Sequence, residues 1–324
     1  MRRKLLKVFG GLLLFLAVLL VGGWLAFVPW SKEPPYAFVM AWGEKGDGPG
    51  QFNDPTGIAI AGSGAGAEVF VADARNGRIQ VFDLDGNFRR QFGGLGRPMN
   101  LSVAKGELYV ADYWNDRIHV FGLDGALLRT VGGAGTGAGE FKAPGGAAVA
   151  ANGDLYVADF YNQRVQHLRP DGTFVRQWGT TEKVGIGAGA FNYPTDVALG
   201  PDGTLYVADG YNDRIQAFGA DGRFLVKWGG PLAINFWGPF RGWFATVTGL
   251  AVDRAGNVFA ADFYNHRVQK FSPDGTFLTA FGDKGEGPGR LTYAMGVAVA
   301  ADGSVFVTDF GNNRVTKWRP KGGD

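Results

Sequence analysis

Small apolar runs recur along the chain: GIAIA, LSVA, GAAVA, VALG, LAVD and VAVA. Each precedes a bulkier run such as VFVAD or LYVAD, then RIQVF or a variant of it, then FRRQFG, LLRTVG, FVRQWG, FLVKWG or FLTAFG. Short runs bounded by Gly, Asp and Asn read as strands rather than helices. Asp-Gly stands between the third and fourth runs at Asp85-Gly86, Asp124-Gly125, Asp171-Gly172, Asp221-Gly222 and Asp274-Gly275. That dipeptide supplies the positive φ angles of tight hairpin turns. The pattern predicts antiparallel units of four strands, lettered a to d in chain order. Strand a carries Gly, Ala, Ser and Val, whereas b and d carry Phe, Tyr and Trp. Such a gradient fills a wedge that is narrow inside and wide outside.

The units share one signature, D-x-x-N-x-R, which ends strand b and opens strand c. It spans Asp73 to Arg78, Asp112 to Arg117, Asp159 to Arg164, Asp209 to Arg214, Asp262 to Arg267 and Asp309 to Arg314. Successive Asp residues lie 39, 47, 50, 53 and 47 positions apart. Periods of this size in strand-like text indicate propeller blades. The fold class expected is therefore all-β: a six-bladed β-propeller of four-stranded antiparallel blades, preceded by one N-terminal transmembrane helix. From Ala37 to Pro320 the text, of the form YVADxxNxRIQxFxxDGxFxxxFG, resembles the NHL repeat family of β-propellers. That family hosts unrelated activities, so the resemblance implies a fold and leaves function open.

The sixth unit stops after strand c. The missing strand is expected at the other end of the chain: AFVMAWG, residues 37–43, ends in the same Trp-Gly as Trp178-Gly179 and Trp228-Gly229. It would close the ring and cover a free strand edge.

Ahead of it lie a basic segment (1–8), an uncharged apolar run (9–28) and a short stalk (29–36). As a helix, 20 apolar residues span about 30 Å, one hydrocarbon core. Basic MRRKLLK predicts a cytoplasmic N-terminus and an extracytoplasmic, periplasmic or extracellular propeller. A cleaved signal peptide is the rival reading. A stalk entering at strand d would put the a–b and c–d turns near the membrane and turn the d–a loops away from it. Without Arg2, Arg3, Lys4 and Lys7 the remainder carries 28 basic and 30 acidic residues, so no basic field attracts nucleic acid. There is no Cys, hence no disulfide or thiolate site.

The acid, amide and base of D-x-x-N-x-R read as structural, an Asp–Arg pair stitching one hairpin in each blade. GEKGDGPG, GGAGTGAG and GIGAGA lack the spacing and the Lys-Ser/Thr of a phosphate loop and read as d–a linkers. The resemblance raises a metal-dependent lyase, because NHL-like lyases cleaving peptidyl hydroxyglycine hold a metal on channel histidines. His119, His167 and His266 fall on strand c or the b–c turn, away from the axis, and are expected at surface and turn positions without zinc. No cofactor is expected. A channel calcium, as in lactonase-like propellers, would need several oxygen ligands, and only Asn100 and Asp196 stand where other blades begin strand a with Gly57, Gly146, Gly249 and Gly296.

Between the strand-d Gly and those positions the linkers run 13, 6, 13, 16, 19 and 13 residues. The longest holds Trp237 and Trp243, and the b–c turns add Trp114, Tyr161, Tyr211 and Tyr264. Together with Asn100 and Asp196, these are the candidate ligand contacts. The function expected is a membrane-anchored binding module for a protein, peptide or glycan. A lyase or lactonase-like enzyme is the first alternative, and an RNA-binding module, as in other NHL-like proteins, the second.

Overall fold

The computed structural model describes residues 11, 13–16, 22 and 27–321. Six four-stranded antiparallel sheets follow one another. Their innermost strands are Pro55–Ala61, Pro98–Ala104, Pro144–Val149, Pro194–Leu199, Val247–Val252 and Ala294–Val299. Four open with Pro, which lacks the N–H a ladder would use and suits a strand's first position.

Six apolar clusters hold the ring, each shared by two neighbouring blades. One links blade four to blade five through Ile215, Trp228, Phe244, Val258 and Phe271. Burying such side chains contributes about 1.5–3 kcal/mol each. A buried apolar residue anchors the linker into each long-linked blade: Phe52, Phe141, Phe191, Phe244 and Leu291 are fully buried.

Ring closure is as expected. Ala37–Trp42 pairs antiparallel with Arg314–Arg319, Ala37 opposite Arg319 and Trp42 opposite Val315. Trp42 then packs on Phe306 of blade six and Phe82 of blade one, with ring centroids 6.1 and 5.8 Å away. The seam is thus held by both strand pairing and the core between first and last blades.

Of the expected transmembrane segment, most residues lie outside the described ones, and among those described no helix is long and apolar enough to cross a membrane. Residues 29–36 depart from the free stalk. Lys32 and Glu33 donate their N–H groups to Leu278 O at 2.7 and 3.1 Å, Glu33 pairs with Lys270 at 2.6 Å, and the Tyr36 ring stacks on Phe281 at 4.9 Å. The segment is bonded along the outer strand of blade five.

Candidate functional site

The signature does more than stitch a hairpin. Asp and Arg pair at 2.7–2.8 Å in blades one, three, four, five and six. The same guanidinium then binds linker carbonyls. Arg78 takes Asp47, Gly48 and Gln51; Arg164 takes Gly137 and Glu140; Arg214 takes Ile186, Gly187, Ala190 and Ala233. Arg267 and Arg314 repeat the pattern on 239–243 and 286–290. The Asn amide donates to a linker Gly, as Asn212 does to Gly185 O. Two residues beyond the Arg, a Gln completes the clamp in blades one, three, four and five. Gln216, for example, donates to Ala190 O and accepts from Gly189 N–H. The Gly-rich linkers are therefore held carbonyl by carbonyl, which meets the demand of buried backbone groups for partners.

Blade two departs from this. Arg117 is exposed, and its Nε donates to Asn115 O instead of pairing with Asp112. His119 stands 3.2 Å from the Asp112 carboxylate, which also accepts from the N–H groups of Gly96 and Arg97. Burial raises the Asp112 pKa, but these bonds more than offset it and hold the group below the usual carboxylate range. The six-residue linker brings no carbonyl arc to the guanidinium.

A second device latches neighbouring blades. The residue after the signature Asn takes a left-handed φ and accepts an N–H from the next linker: Asp116 from Ala143, Gln163 from Tyr193, Asp213 from Thr246, His266 Nδ1 from Tyr293 and Asn313 from Asp54. His266 thus serves at a turn, as expected, and burial lowers its pKa. His119 and His167 are buried rather than superficial, and His167 bonds Asp154 at 2.8 Å. The three histidines have separate partners and do not converge.

At the axis the six inner strands crowd together. A Cβ on Gly57 would lie 2.3 Å from Met99 O, and one on Gly146 only 2.0 Å from Asp196 Oδ1. Gly146 therefore makes room for the side chains of Asn100 and Asp196, and Gly57, Gly249 and Gly296 for the backbone of the neighbouring inner strand. Asn100 Nδ2 donates to Thr248 O at 3.0 Å, and Asp196 Oδ2 accepts from Leu250 N–H at 2.8 Å. Burial pushes the Asp196 pKa up to about 8, so the carboxyl is mostly protonated at neutral pH. One amide and one carboxyl, each already hydrogen-bonded to backbone, fall short of the several oxygen ligands that a calcium ion takes. Among the described residues no group of three or more His, Cys, Asp or Glu is placed to hold a metal. These residues do not fit a channel metal.

Above this layer lies an aromatic bowl of about 250 Å³ at the mouth of the channel, on the face of the d–a linkers. Tyr113, Phe160, Tyr211, Phe263 and Tyr264 wall it, and Asn100, Thr195 and Thr248 lie deeper. The rings brace one another: Tyr113 donates to Tyr161 Oη at 2.9 Å, and Phe263 stacks on Tyr293 at 4.8 Å. Burial raises the Tyr211 pKa, so the phenol stays a neutral donor. Blade one offers Ala74 and Arg75 where the others have aromatics, leaving that side low. Arg97 also lines the bowl, its guanidinium 6.0 and 5.7 Å from the Tyr113 and Trp114 rings. Its Nε is buried without an acceptor, and among the described residues no carboxylate pairs with it.

The structure thus brings Asn100, Tyr211 and Tyr264 into one bowl and sets Tyr161 and Trp114 around it. Asp196 lines a separate cavity further along the axis, and Trp237 and Trp243 belong to the 230–248 linker outside the bowl. Arg97, Met99 and Met295 were not signalled by the repeat, because each sits in the irregular linker text before or within strand a.

Residues 141–168, 191–218, 244–271 and 291–318 match the NHL repeat. Each match opens on a buried linker anchor. Protein brain tumor of Drosophila melanogaster is 39% identical over 66 residues, covering 20% of this chain and 6% of that protein. B-box type zinc finger protein ncl-1 of Caenorhabditis elegans is 42% identical over 60 residues, covering 18% and 7%. The similarity to these relatives therefore spans less than a tenth of their length. A Bacteroides thetaiotaomicron structure of unknown function has a TM-score of 0.66 at 16% identity, covering 88% of this chain and 75% of that one. A gluconolactonase of Xanthomonas campestris gives 0.61 at 17%, covering 91% and 98%, and a streptogramin B lyase 0.59 at 16%, covering 83% and 94%. At these identities the likeness concerns fold alone. The chain is a six-bladed β-propeller that carries four NHL repeats.

Proposed function

We propose that this protein is a membrane-anchored, extracytoplasmic binding module, and that its aromatic bowl takes a carboxylate-bearing group of a protein, peptide or glycan. The observation that carries this reading is Arg97, a cation on an aromatic wall with a buried Nε that no acceptor meets. A guanidinium matches a carboxylate in two parallel bonds. Aromatic faces add apolar area against a peptide side chain or a sugar ring, and Asn100, Thr248 and Tyr211 offer polar atoms for orientation. The histidines' separate partners and the hydrogen-bonded Asn100–Asp196 layer favour binding over a metal-assisted reaction.

The test probes the full chain, reconstituted in lipid discs, on paired peptide and glycan arrays with free or amidated carboxyl groups. Retention should be selective for the free acids. Arg97→Gln should weaken it about tenfold or more, the loss of a charge-assisted bond of about 1.5–3 kcal/mol. Equal retention of acids and amides, or an unaffected variant, would contradict the reading.

A further inference from the structure

Residues 27–36 follow the outer edge of blade five. Phe27 O accepts the indole N–H of Trp243 at 2.5 Å, and the Arg241 guanidinium lies over Trp30, 5.6 Å from the ring centroid. Gly242 leaves space filled by Pro29: a Cβ there would meet it at 3.0 Å. The chain then descends past Leu278 to Ala37, which pairs with the far end of strand c in blade six. Phe27 therefore sits beside the 230–248 linker, and Pro29, Trp30 and Lys32 share a cavity with Gly275, Thr276 and Phe277 of the c–d turn in blade five, so the segment runs along the outer edge of the ring.

An apolar lip surrounds that point. Leu232, Phe236, Trp237, Phe240, Phe27 and Trp30 are 71, 51, 71, 41, 43 and 62% exposed. The linker contains no acidic residue, and its only charge is Arg241. Lone exposed apolar side chains are ordinary, but a group of this size on one lip marks an interaction surface. Its position identifies the occupant. The lip is continuous in sequence with residues 8–31, 24 residues without a charge between Lys7 and Lys32. That length suits a hydrocarbon core. Trp and Phe without carboxylates, beside an Arg, is the composition that settles at the boundary of headgroups and acyl chains.

We propose that the lip formed by the 230–248 linker and residues 27–30 is a membrane-docking wedge that seats in the bilayer interface. The outer edge of the ring at blade five then faces the lipid surface. The inference rests on reading residues 8–31 as an anchor and is independent of what the bowl binds.

The absence of Cys permits single labels. Full-length Trp237→Cys and Ala126→Cys, the latter an exposed c–d turn of blade two, carry a nitroxide in discs of phosphatidylcholine and phosphatidylglycerol. Collision with oxygen and with a water-soluble nickel chelate is then measured. The label at 237 should favour oxygen several-fold over the chelate, and the label at 126 the chelate. A 237 label that favours the chelate puts the lip in water, and one shielded from both reagents puts it against protein; either result overturns the proposal. A lipid-exposed 126 label would put blade two against the bilayer and overturn the proposal as well.

Discussion

Blades two and four start from the same signature and end with different hardware. In blade four, Arg214 is fully buried and joins Asp209 to four linker carbonyls. In blade two, Arg117 is exposed and His119 has taken its place beside Asp112. The linker ahead of blade four has 16 residues and that ahead of blade two has 6. The difference teaches that the conserved-looking triplet within this chain is a fastener for linkers. Where the linker is too short to be fastened, the cation is released and the acid finds another partner.

The largest expected effect comes from removing a strand rather than a clamp. Blade six has its own Asp309–Arg314 clamp but borrows its outer strand. Deleting residues 35–43 should leave the clamp's residues in place and still abolish the cooperative melt, because strand c of blade six and the seam around Phe306 and Phe82 lose their cover. Melting at the parent temperature, followed by calorimetry, would show that clamps hold the ring without closure.

Next comes the comparison itself. Arg214→Gln leaves Asp209 buried without its cation and should cost about 3–5 kcal/mol. Arg117→Gln should stay within about 0.5 kcal/mol, as for an exposed side chain. Urea midpoints of the two variants provide the check, and equal shifts would remove the distinction between the blades.

A smaller and pH-dependent effect is expected at the axis, where blade two has Asn100 and blade four Asp196. Folding raises the Asp196 pKa to about 8, so the folded chain keeps a proton that the unfolded chain releases. Stability from this group is full below the unfolded value near 3.8 and is lost as pH rises through the folded value. Asp196→Asn, which copies blade two, should therefore melt above wild type at pH 7, with a gap that widens from pH 4 to pH 8 and then levels. Melting curves across that range that run parallel would mean that Asp196 is ionised in the fold.

Much of this was legible in the chain. Strand periodicity, Asp-Gly turns and the tail-first start led to six blades and their closure, because each depends on local spacing. Gly57, Gly146, Gly249 and Gly296 pointed to Asn100 and Asp196 as axial side chains, open to a ligand or to neighbouring backbone, and both bond to backbone. The bowl was half legible. Tyr211 and Tyr264 stand in repeating text, whereas Arg97 lies in a linker whose path depends on Asp112 accepting two of its N–H groups. The Arg–carbonyl bonds of the clamp join residues 27 to 31 positions apart in blade one, for instance Arg78 to Asp47 and Gln51, a distance over which pattern carries no register. The stalk misled for a related reason: Pro34-Pro35 suggests an extended strut, but the Lys32 and Glu33 amides find Leu278 O.

Native-state hydrogen exchange on the Arg214→Gln variant tests the fastening directly. In the parent, Gly189 donates its N–H to Gln216 and Gly185 donates to Phe191 O, whereas the blade-three counterpart Gly139 donates to Gln166. Exchange at Gly185 and Gly189 should accelerate in the variant while Gly139 keeps its parent rate. Unchanged protection at Gly185 and Gly189, in a folded variant, would contradict the claim that the signature arginine holds the linker.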